Sequence, residues 1–380
     1  MIDVYIVGGD HHNGLGLARI FGMHDFKVHC MVICEAKHSF LSYSKYTDEC
    51  KCFDTEKEAY DYILSVKYNN PSFVIPYSDS AALELDRRLD EFKERFYVPS
   101  INNKQGEIAK LMDKQNQYEF AKNAGIRMAF TKTIYFDQQS IDISDVPYPC
   151  IMKPVISAEG DKRDITICRN KNELDEAISK YRKLEYKRAL LQQYLKIDYE
   201  IDVFGCTLKQ KPYICQVPTR TIRSWLPEGG TNSFSQIITR QETIDKCSGI
   251  IEKIREYGFY GLYDLELFVV DGEIILNEIN FRNSGDIYMG LAQQYYFPIA
   301  WICDVLEKKV DIKSCPEKSD YTMTECADIR HVLTRRMGFI EWFKDYKKCS
   351  DYALKFKGDM KPARKRYFYY VCQFFKGKKL

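Results

Sequence analysis

The first hundred residues alternate short apolar runs with segments in which apolar residues recur at helical spacing. The apolar runs predict buried strands at DVYIVGG, KVHCMVIC and SFVIPYSD, and the helical spacing predicts amphipathic helices such as GLGLARIFGMHD and SAALELDRRLDEFKERF. Strands that alternate with helices are typical of a parallel, doubly wound sheet. Ligands bind such sheets at the loops that follow the carboxyl ends of the strands. The polar loops GGDHHNG and Tyr77-Ser78-Asp79 occupy such positions and are candidate ligand contacts.

The pattern changes after residue 105. One long helix is predicted at NKQGEIAKLMDKQNQYEFAKNAGI, with Gly125 as its stop signal. Strands are predicted at YPCIMKP and DITICRN, followed by a helix at KNELDEAISKYRKL and by antiparallel strands at ALLQQYL, YEIDVFGCT and KPYICQVPTRTI. A hairpin is predicted at GLYDLELFVVDGEIILNEIN, because Asp271-Gly272 is a favoured two-residue turn. The chain therefore combines an α/β part with a later α+β part.

Composition narrows the class of protein. The chain has 380 residues, of which 45% are apolar and 29% are charged, as is typical of a globular protein with a large core. No apolar run approaches the roughly 18 residues that a membrane-spanning helix needs. The N-terminus carries Asp3 and no basic residue before its first apolar run, which argues against a signal peptide. Fourteen cysteines are scattered singly in apolar contexts, so we interpret them as reduced core residues and expect a cytoplasmic protein.

Acidic residues in the predicted hairpin are the strongest sign of chemistry. Glu266 lies on its first strand, and Glu278 and Asn280 lie on its second. Because side chains alternate along a strand, Glu278 and Asn280 face the same way, and pairing across the Asp-Gly turn can place Glu266 on that face too. Carboxylates among apolar residues are costly to bury without a cation, and hard oxygen ligands suit Mg²⁺. Arg282 follows on the same face, where it can hold a phosphoryl group. The alternative is a hairpin with solvated acids on its outer face.

Two lysines complement these acids. Lys114 lies near a helix start in LMDKQNQYEF, and Lys153 ends the apolar strand YPCIMKP. A lysine that closes a buried strand can reach a bound phosphate as a point charge. Taken alone, Lys153 is better explained as a surface lysine whose stem packs on apolar neighbours.

These motifs, in this order, resemble those of the ATP-grasp superfamily. The resemblance rests on M-D-K-x-x-x-Y-x-F, I-M-K-P, Q-Q-Y-L, Y-E-I-D-V, D-L-E and N-E-I-N-x-R, and it spans residues 1–310. Within the superfamily, the chain looks like the carboxylate–amine ligases related to D-aspartate ligase and the large chain of carbamoyl-phosphate synthase. The resemblance implies a fold of class α/β and α+β, in which an N-terminal doubly wound parallel-sheet domain precedes a two-lobed ATP-grasp domain.

The resemblance also implies domain boundaries. Residues 1–105 would form the N-terminal α/β domain, and residues 106–188 would form the region of the small lobe. Residues 189–310 would form the large lobe with the metal site. Residues 311–380 would form a basic, aromatic C-terminal extension.

For ATP, the resemblance implies a site between the two lobes. The phosphates would contact Lys114 and Lys153, and Glu200 would bind the ribose hydroxyls. The adenine would lie beside a hinge that acts mostly through its backbone and consists of Gln192, Gln193, Tyr194 and Leu195.

For the metal and the transferred group, the resemblance implies a further set of residues. Mg²⁺ or Mn²⁺ would be held by Glu266, Glu278 and Asn280. Arg282 would stabilise the phosphoryl group during transfer, together with Lys153. In the last motif the chain has N-F-R in place of the common N-P-R, which should alter the turn and spare Arg282.

The loop after Lys153 departs from the family pattern. The segment PVISAEGDKRD has one glycine, Gly160, where many relatives have several. A lid that clasps phosphates through backbone N–H groups favours glycines. We therefore expect this lid to close differently, using Ser157 and Lys162.

The stretch VPTRTIRSWLPEGGTNSF is a candidate substrate contact. Arg220 and Arg223 are expected to face a cleft and grip a carboxylate or a phosphate, and Arg220 is a candidate catalytic residue. Gly229-Gly230-Thr231 could offer backbone donors to an anion. The alternative is an ordinary strand and loop with exposed arginines.

The last 40 residues are basic and aromatic. Residues 341–380 hold twelve Lys or Arg residues against four Asp or Glu residues, a net charge of +8. The segment DIRHVLTRRMGFIEWFKDY resembles the extension of ligases encoded with surface-polysaccharide functions. We expect the final helix to dock on the rest of the protein, and contact with the inner membrane surface is the first alternative. Nucleic acid is not expected as a partner, because no nucleic-acid-binding fold is recognisable.

The implied reaction joins a small-molecule carboxylate to an amine. ATP would convert the carboxylate, a poor acyl donor, into an acyl phosphate that the amine attacks. An amino acid or a precursor of a cell-surface polysaccharide or peptidoglycan is the expected substrate, and the oligomeric state is open. Two alternatives remain: a bicarbonate-activating enzyme of the carboxylase or carbamoyl-phosphate type, and a nucleotide-binding regulatory protein with an inactive grasp site.

Overall fold

The computed structural model describes the chain except for residues 1, 36–37, 68–70, 139, 156–163, 227–229 and 376–380 and the side chains of 374–375. Contacts between residues separate the chain into two compact units. The first unit comprises Met1–Lys110, Ile201–Leu265 and Ile279–Leu380, and the second comprises Leu111–Glu200 and Glu266–Glu278. Each unit therefore contains segments that lie far apart in the sequence.

A five-stranded parallel sheet begins the first unit. Its strands are β1 (Asp3–Gly9), β2 (Lys27–Ile33), β3 (Glu49–Phe53), β4 (Ser72–Pro76) and β5 (Phe96–Tyr97). The helices among them are α1 (His12–Gly22), α2 (Glu56–Ser65), α3 (Asp79–Arg87) and α4 (Leu89–Phe92). The strand order is β3-β2-β1-β4-β5, and every pair is parallel. This is the doubly wound sheet that the alternating pattern predicts, and the winding reverses between β1 and β4.

The residues of β1 explain its central position. Val4 and Ile6 pack into the cluster that includes residues of α1, and Tyr5 and Val7 pack into the cluster that includes residues of α2 and α3. Each of the four side chains is at most 3% exposed. Burial of such a side chain contributes about 1.5–3 kcal/mol, so a strand that is apolar on both faces favours the middle of the sheet. The loops after β1 and β4 consequently meet at the switch point.

A seven-stranded sheet follows later in the chain. Its strands are β11 (Tyr199–Thr207), β12 (Ile214–Trp225), β13 (Thr231–Ile237), β15 (Leu262–Val270), β16 (Glu273–Asn280), β17 (Tyr321–Met323) and β18 (Cys349–Tyr352). Their order is β16-β15-β11-β12-β13-β17-β18. The pairs from β11 to β17 are antiparallel, and β18 runs parallel to β17.

Shorter elements complete the first unit. Two short strands, β6 (Ser100–Ile101) and β14 (Phe259–Tyr260), pair with each other. The remaining helices are α8 (Gln241–Glu256), α9 (Phe297–Val305), α10 (Glu325–Leu333), α11 (Phe339–Lys348) and α12 (Lys361–Phe375).

The second unit is built on a four-stranded antiparallel sheet. Its strands are β7 (Thr131–Tyr135), β8 (Cys150–Lys153), β9 (Thr166–Cys168) and β10 (Arg188–Gln193), in the order β7-β10-β8-β9. Helices α6 (Lys114–Asn123) and α7 (Lys171–Lys183) belong to the same unit. The turn end of the β15–β16 hairpin joins this unit, where the Leu276 amide donates to the Arg127 carbonyl at 2.8 Å. The combination of α/β and α+β parts confirms the predicted fold class.

Two helices that the sequence predicts as continuous are broken. The first ends at Arg87, and α4 begins at Leu89 after Arg88 leaves helical geometry. The second is divided into α5 (Glu107–Leu111) and α6, because the Asp113 carboxylate accepts hydrogen bonds from the Gln115 and Asn116 amides at 3.0 Å. An Asp cap of this kind satisfies the first N–H groups of a new helix and so favours a break.

The compact units do not follow the predicted domain boundaries. The prediction divides the chain in order at residues 105, 188 and 310. In the structure, the chain leaves the first unit after Lys110, returns at Ile201, and leaves it again for the hairpin turn at Glu266–Glu278. Residues 311–380 belong to the first unit, because β17 and β18 extend the seven-stranded sheet. A boundary drawn along the sequence cannot represent a unit that is assembled from three segments.

All fourteen cysteines are free thiols. None of the helices in the described ranges is long and apolar enough to span a bilayer. In the same ranges, no group of three or more His, Cys, Asp and Glu side chains is arranged to hold a metal ion.

Candidate active site

The β15–β16 hairpin positions the predicted acids. Asp271 and Gly272 have φ values of 51° and 78°, the left-handed conformation that a two-residue turn between twisted strands requires. Glu266 lies in β15 and accepts a hydrogen bond from the Asn277 side chain of β16 at 3.1 Å. Glu278 is the next residue of β16, and both acids are partly buried.

Lys114 pairs with Glu278. Its ammonium donates to the Glu278 carboxylate at 2.7 Å, and the two side chains are 28% and 24% exposed. Lys114 is the first residue of α6, so the Asp113 cap that starts this helix also fixes the position of the lysine. The structure therefore brings a predicted phosphate contact and a predicted metal ligand together across 164 residues of chain.

Lys153 joins this pair from the four-stranded sheet. It ends β8 opposite Leu190 of β10, and its ammonium donates to the Gln192 side-chain oxygen at 2.8 Å. The pKa of Lys153 is lowered to about 8, mainly by burial and also by the positive charge of Lys114, while Glu278 and Glu266 act in the opposite direction. Both acids thus lie within electrostatic range of Lys153. The second unit therefore holds a cluster of two lysines and two carboxylates.

The predicted hinge residues follow β10. The Gln193 amide donates to the Phe130 carbonyl, and the Tyr194 amide donates to the Pro149 carbonyl, both at 2.9 Å. The described residues provide no hydrogen-bond partner for the Leu195 amide, so this donor can serve a ligand. The Gln192 side chain is buried and holds Lys153, a role that the sequence does not reveal.

Glu200 occupies an apolar position at the start of β11. Burial raises the pKa of its carboxyl group, and no ionic partner for it lies among the described residues. A partly buried carboxylate in this state has unused capacity to accept hydrogen bonds. That capacity matches the hydroxyl ligand that the resemblance implies for Glu200.

Arg282 lies in the first unit and is held by two carboxylates. Its Nε atom donates to Asp79 at 2.9 Å, and one terminal nitrogen donates to Asp264. Burial works against the charged form of Arg282, but Asp264 and Asp79 outweigh burial and raise its pKa above the ordinary value. The guanidinium is therefore permanently charged and fixed in orientation. Sequence reasoning missed Asp264, although an aspartate in the apolar strand LYDLELFVV was a usable signal.

Two asparagines join the loops that surround Arg282. Asn13 follows β1, and its side-chain amide donates to the Tyr77 carbonyl at 2.8 Å and to the Asn283 carbonyl at 3.0 Å. The Asn283 side-chain amide donates in return to Asn13, and its backbone amide donates to the Pro76 carbonyl at 3.1 Å. The loops after β1, β4 and β16 are consequently one hydrogen-bonded assembly. Sequence reasoning identified the first two loops but not their link to Arg282.

Asn280 is the third predicted metal ligand. It is 3% exposed, and its side chain has no hydrogen-bond partner among the described residues. It lies two residues after Glu278 in β16 but belongs to the first unit, whereas Glu266 and Glu278 belong to the second. Joint coordination of a metal by the three residues stays a prediction.

The two predicted substrate arginines differ. Arg220 is exposed on β12, opposite Ile201 of β11. Arg223 donates to both oxygens of Asp328 at 3.0 and 2.8 Å and to Asp345 at 2.9 Å. The expectation that Arg223 grips a ligand is not met, because carboxylates from α10 and α11 already bind all three of its nitrogens. Ser157, Gly160, Lys162 and Gly229 lie outside the described residues, so the predictions for the lid and for the first of the two adjacent glycines stay untested.

Comparison with known proteins identifies the class of domain. Residues 119–295 match the model of the ATP-grasp domain. Residues 119–295 are thus similar to an ATP-grasp domain, and the predicted resemblance is confirmed. The matched range includes Lys153, Gln192, Glu200 and Arg282, and it begins five residues after Lys114.

Particular relatives refine this picture. The formate-dependent phosphoribosylglycinamide formyltransferase of Wolinella succinogenes is 23% identical over 226 residues, which cover 57% of this chain and 55% of that protein. The homologous enzyme of Bacillus subtilis is 24% identical over 232 residues, which cover 57% of this chain and 56% of that protein. The chain thus spans about half the length of the curated relatives that it matches.

Solved structures share the fold. The N5-carboxyaminoimidazole synthetase of Staphylococcus aureus in complex with ADP has a TM-score of 0.64 at 15% identity, with 88% of this chain and 86% of that chain covered. The biotin carboxylase domain of the 2-oxoglutarate carboxylase of Hydrogenobacter thermophilus has a TM-score of 0.58 at 16% identity, with 83% and 72% covered. At these identities the likeness establishes the fold alone.

Proposed function

We propose that the protein is an ATP- and Mg²⁺-dependent ligase that activates a carboxylate as an acyl phosphate and transfers the acyl group to an amine. The observation that carries this proposal is the cluster of Lys114, Lys153, Glu266 and Glu278 in a chain with an ATP-grasp domain. Two cations and two anions held together in a partly buried place suit a ligand that brings both phosphates and a divalent ion. The relatives support the same class, since their names describe a formyltransferase and a synthetase that binds ADP.

Lys114 and Lys153 would bind the phosphates of ATP. Lys153 is bonded to a neutral amide rather than to a carboxylate, so its charge is available to a phosphate. The hinge from Gln192 to Leu195 would contact the adenine, mainly through its backbone. Glu200 would accept hydrogen bonds from the ribose hydroxyls.

Glu266, Glu278 and Asn280 would hold Mg²⁺ or Mn²⁺. The donor set fits a hard cation, because it consists of two carboxylates and a buried amide that lacks a hydrogen-bond partner among the described residues. The ion, when bound, supplies positive charge to the phosphate oxygens. Lys114 would release Glu278 when ATP and the ion bind. Lys114 would then pair with a negatively charged phosphate in place of Glu278, and Glu278 would pair with the positively charged ion in place of Lys114.

The chain's own residues then position the two reactants. A carboxylate oxygen attacks the γ-phosphorus of ATP, and the bond to the bridging oxygen breaks, so ADP leaves. The amine nitrogen attacks the acyl carbon of the resulting mixed anhydride, phosphate leaves, and the nitrogen loses a proton. Arg282 would stabilise the transferred phosphoryl group, because Asp79 and Asp264 keep it charged and immobile. Arg220 is a candidate contact to the substrate.

The proposal also covers the substrate class and the location of the protein in the cell. The C-terminal segment resembles the extension of ligases with surface-polysaccharide functions, so an amino acid or a precursor of a cell-surface polysaccharide or peptidoglycan is the proposed substrate, in the cytoplasm. Helix α12 docks through Arg366 onto Asp10 at 3.1 Å. Phe368 and Val371 on the same helix are 69% and 51% exposed, which supports contact with the inner membrane surface as a secondary role.

Release of ADP with panels of carboxylates and amines tests the proposal. Glu278→Gln should lower turnover at least about 100-fold and weaken its dependence on Mg²⁺, because the substitution removes a charged metal ligand. Glu273→Gln is the matched control, since this exposed residue lies in the same strand and should leave turnover within about twofold. Turnover at the wild-type rate in Glu278→Gln would refute the metal assignment.

Activation of bicarbonate is the second candidate function. It is favoured by the likeness to a biotin carboxylase domain whose structure contains MgADP and bicarbonate. ADP release that bicarbonate stimulates without any amine would support this alternative. Tight ATP binding without ADP release under all conditions would instead indicate a nucleotide-binding regulatory protein.

A further inference from the structure

A partly open cavity of about 140 Å³ lies within the first unit, and none of Lys114, Lys153, Glu266 and Glu278 lines it. Its wall combines the loop after β1, the end of β12, and helices α10 and α12. The charged, histidine and aromatic side chains that line it are His11, His12, Phe40, Trp225, Arg330, Arg366 and Tyr370. At roughly 30 Å³ per water molecule, the cavity has room for a small organic acid rather than for a nucleotide.

Arg330 distinguishes this cavity from an ordinary surface cleft. Its guanidinium lies 5.9 Å from the ring centroids of both Trp225 and Tyr370 and is partly buried. No carboxylate among the described residues forms an ion pair with it. A partly buried guanidinium without a counter-ion is costly, and a bound anion would remove that cost.

The acids near the cavity are already engaged. Asp10 binds Arg366 at 3.1 Å, and Asp328 binds Arg223. Glu325 accepts hydrogen bonds from the Leu354 and Lys355 amides and from the Tyr367 hydroxyl, at 3.1, 2.9 and 2.6 Å. Burial raises the pKa of the Glu325 carboxyl group, and its hydrogen bonds come from neutral groups. None of these three acids forms an ion pair with Arg330.

The histidines keep the cavity polar without adding negative charge. The pKa of the His11 imidazole is lowered to about 4, mainly because the surrounding protein removes it from water and also because Arg366 and Arg282 are positively charged. Burial likewise lowers the pKa of His12 well below its ordinary value. Near neutral pH both imidazoles are uncharged, so each has a single N–H. His12 is already hydrogen-bonded to the Gly285 backbone. The His11 Nδ1 atom accepts from the Asn13 amide, so its other nitrogen can donate to an anion.

The cavity also lies beside the arginine proposed for phosphoryl transfer. Arg282 is among the charges that act on His11, and Gly285, three residues after Arg282, lies against the rings of His11 and His12. Helix α1 begins at His12, and the positive end of its dipole faces the same place.

We propose that this cavity binds the oxyanion group, a carboxylate or a phosphate, of a small co-substrate, with Arg330 as its main partner. The proposal rests on the proposed function in that it identifies the ligand as a reactant of the same enzyme. Trp225 and Tyr370 would pack against the apolar part of this ligand, and His11 would donate a hydrogen bond. Recognition would thus depend on residues of α10 and α12, which lie beyond the range matched by the ATP-grasp domain.

Tryptophan fluorescence measures binding without any nucleotide. Trp225 lines the cavity, whereas Trp301 and Trp342 are 0% and 8% exposed and lie elsewhere. The full-length protein is titrated with acetate, malonate and inorganic phosphate at constant ionic strength, with chloride as the reference anion. A saturable change is expected with at least one of these anions, and Trp225→Phe should abolish it. The comparison of malonate with phosphate tells a carboxylate site from a phosphate site.

Arg330→Gln should weaken binding of that anion at least about tenfold, since a charged hydrogen bond is lost. Arg336→Gln is the matched control, because Arg336 also lies over the Trp225 ring, at 5.5 Å, but is exposed and does not line the cavity. It should leave affinity within about twofold. Equal affinity in Arg330→Gln and wild type, with unchanged circular dichroism, would overturn the assignment, as would an equal loss in both variants.

The same variants separate this proposal from the proposed function. If anion binding depends on Arg330 but the protein never releases ADP, the cavity is supported as an anion site and the proposed ligase function is refuted. If the protein releases ADP and its Michaelis constant for the acid is the same in wild type and Arg330→Gln, the proposed ligase function is supported and the cavity is refuted as the site of the acid.

Discussion

Lys153 and Arg282 show how the surroundings of a cation decide its protonation. Both are partly removed from water, which disfavours a positive charge. Arg282 is bonded to two carboxylates, which raise its pKa, whereas Lys153 is bonded to the neutral Gln192 amide, and its pKa falls to about 8. Lys153 is therefore the proposed phosphate contact whose charge changes within a practical range of pH.

The affinity for ATP should depend on pH through Lys153. A bound polyphosphate favours charged Lys153, so above pH 8 the free protein must take up a proton in order to bind. We expect the dissociation constant of a non-hydrolysable ATP analogue, measured by calorimetry with Mg²⁺, to rise about tenfold between pH 7 and pH 9. Arg at this position cannot lose its proton, so Lys153→Arg should reduce the change to about twofold.

Lys132 supplies the control for this experiment. It lies on β7 of the same sheet, where its ammonium pairs with Asp145 at 2.8 Å. Lys132→Arg should retain the full dependence on pH. A dependence that persists unchanged in Lys153→Arg would show that another group is responsible.

At the scale of elements, the β15–β16 hairpin carries three predicted ligands on two strands. Its turn is short, and Asp271 and Gly272 both adopt positive φ. The position of Glu266 relative to the second strand therefore depends on a turn that most residues disfavour. Glycine meets this requirement at Gly272 without strain.

Gly272→Ala should lower the free energy of unfolding by about 1 kcal/mol, because alanine is strained in the left-handed region. No atom lies within 4 Å of the added methyl group, so the loss would report backbone strain alone. Urea denaturation provides the measurement.

The same substitution at Gly249 should have the opposite effect on stability. Gly249 lies within α8, has ordinary helical geometry, and likewise has open space around the added methyl group. This variant should gain about 0.4–1 kcal/mol, because alanine loses less conformational entropy on folding. Equal effects of both substitutions would contradict the role assigned to the turn.

At the scale of the whole chain, a buried ion pair joins residues 340 positions apart. Arg19 of α1 donates to the Asp359 carboxylate at 3.0 Å, and the two side chains are 0% and 2% exposed. Asp359 also accepts hydrogen bonds from the Ser44 hydroxyl and the Lys45 amide, at 2.9 and 3.1 Å. The C-terminal segment is thereby part of the first unit rather than an appendage.

Asp359→Ala should destabilise the protein by about 3–5 kcal/mol, because it leaves the Arg19 charge buried without its partner. Thermal and chemical unfolding measure the loss. Glu317→Gln, which breaks the exposed pair with Lys313, should cost no more than about 1 kcal/mol. Similar losses in both variants would mean that the buried pair does not hold the C-terminal segment in place.

The sequence alone was informative where the signal is local. The apolar run in DVYIVGG predicted β1, and the Asp-Gly pair predicted the hairpin. Six short motifs in order gave the resemblance to the ATP-grasp superfamily. The periodicity of apolar residues and the residue preferences of turns depend on neighbours within a few residues, so both can be recognised from the sequence alone. The same local signals did not show that Arg88 and Asp113 divide two helices.

Only the tertiary structure decided which charges meet. Lys114 reaches Glu278 across 164 residues, and Arg282 reaches Asp79 across 203, because the chain leaves each unit and returns to it. Arg223 has the same charge as Arg330, yet one is neutralised by Asp328 and the other lines a cavity. An ion pair depends on the distance between two atoms in space, and strand order sets that distance, whereas spacing along the sequence does not.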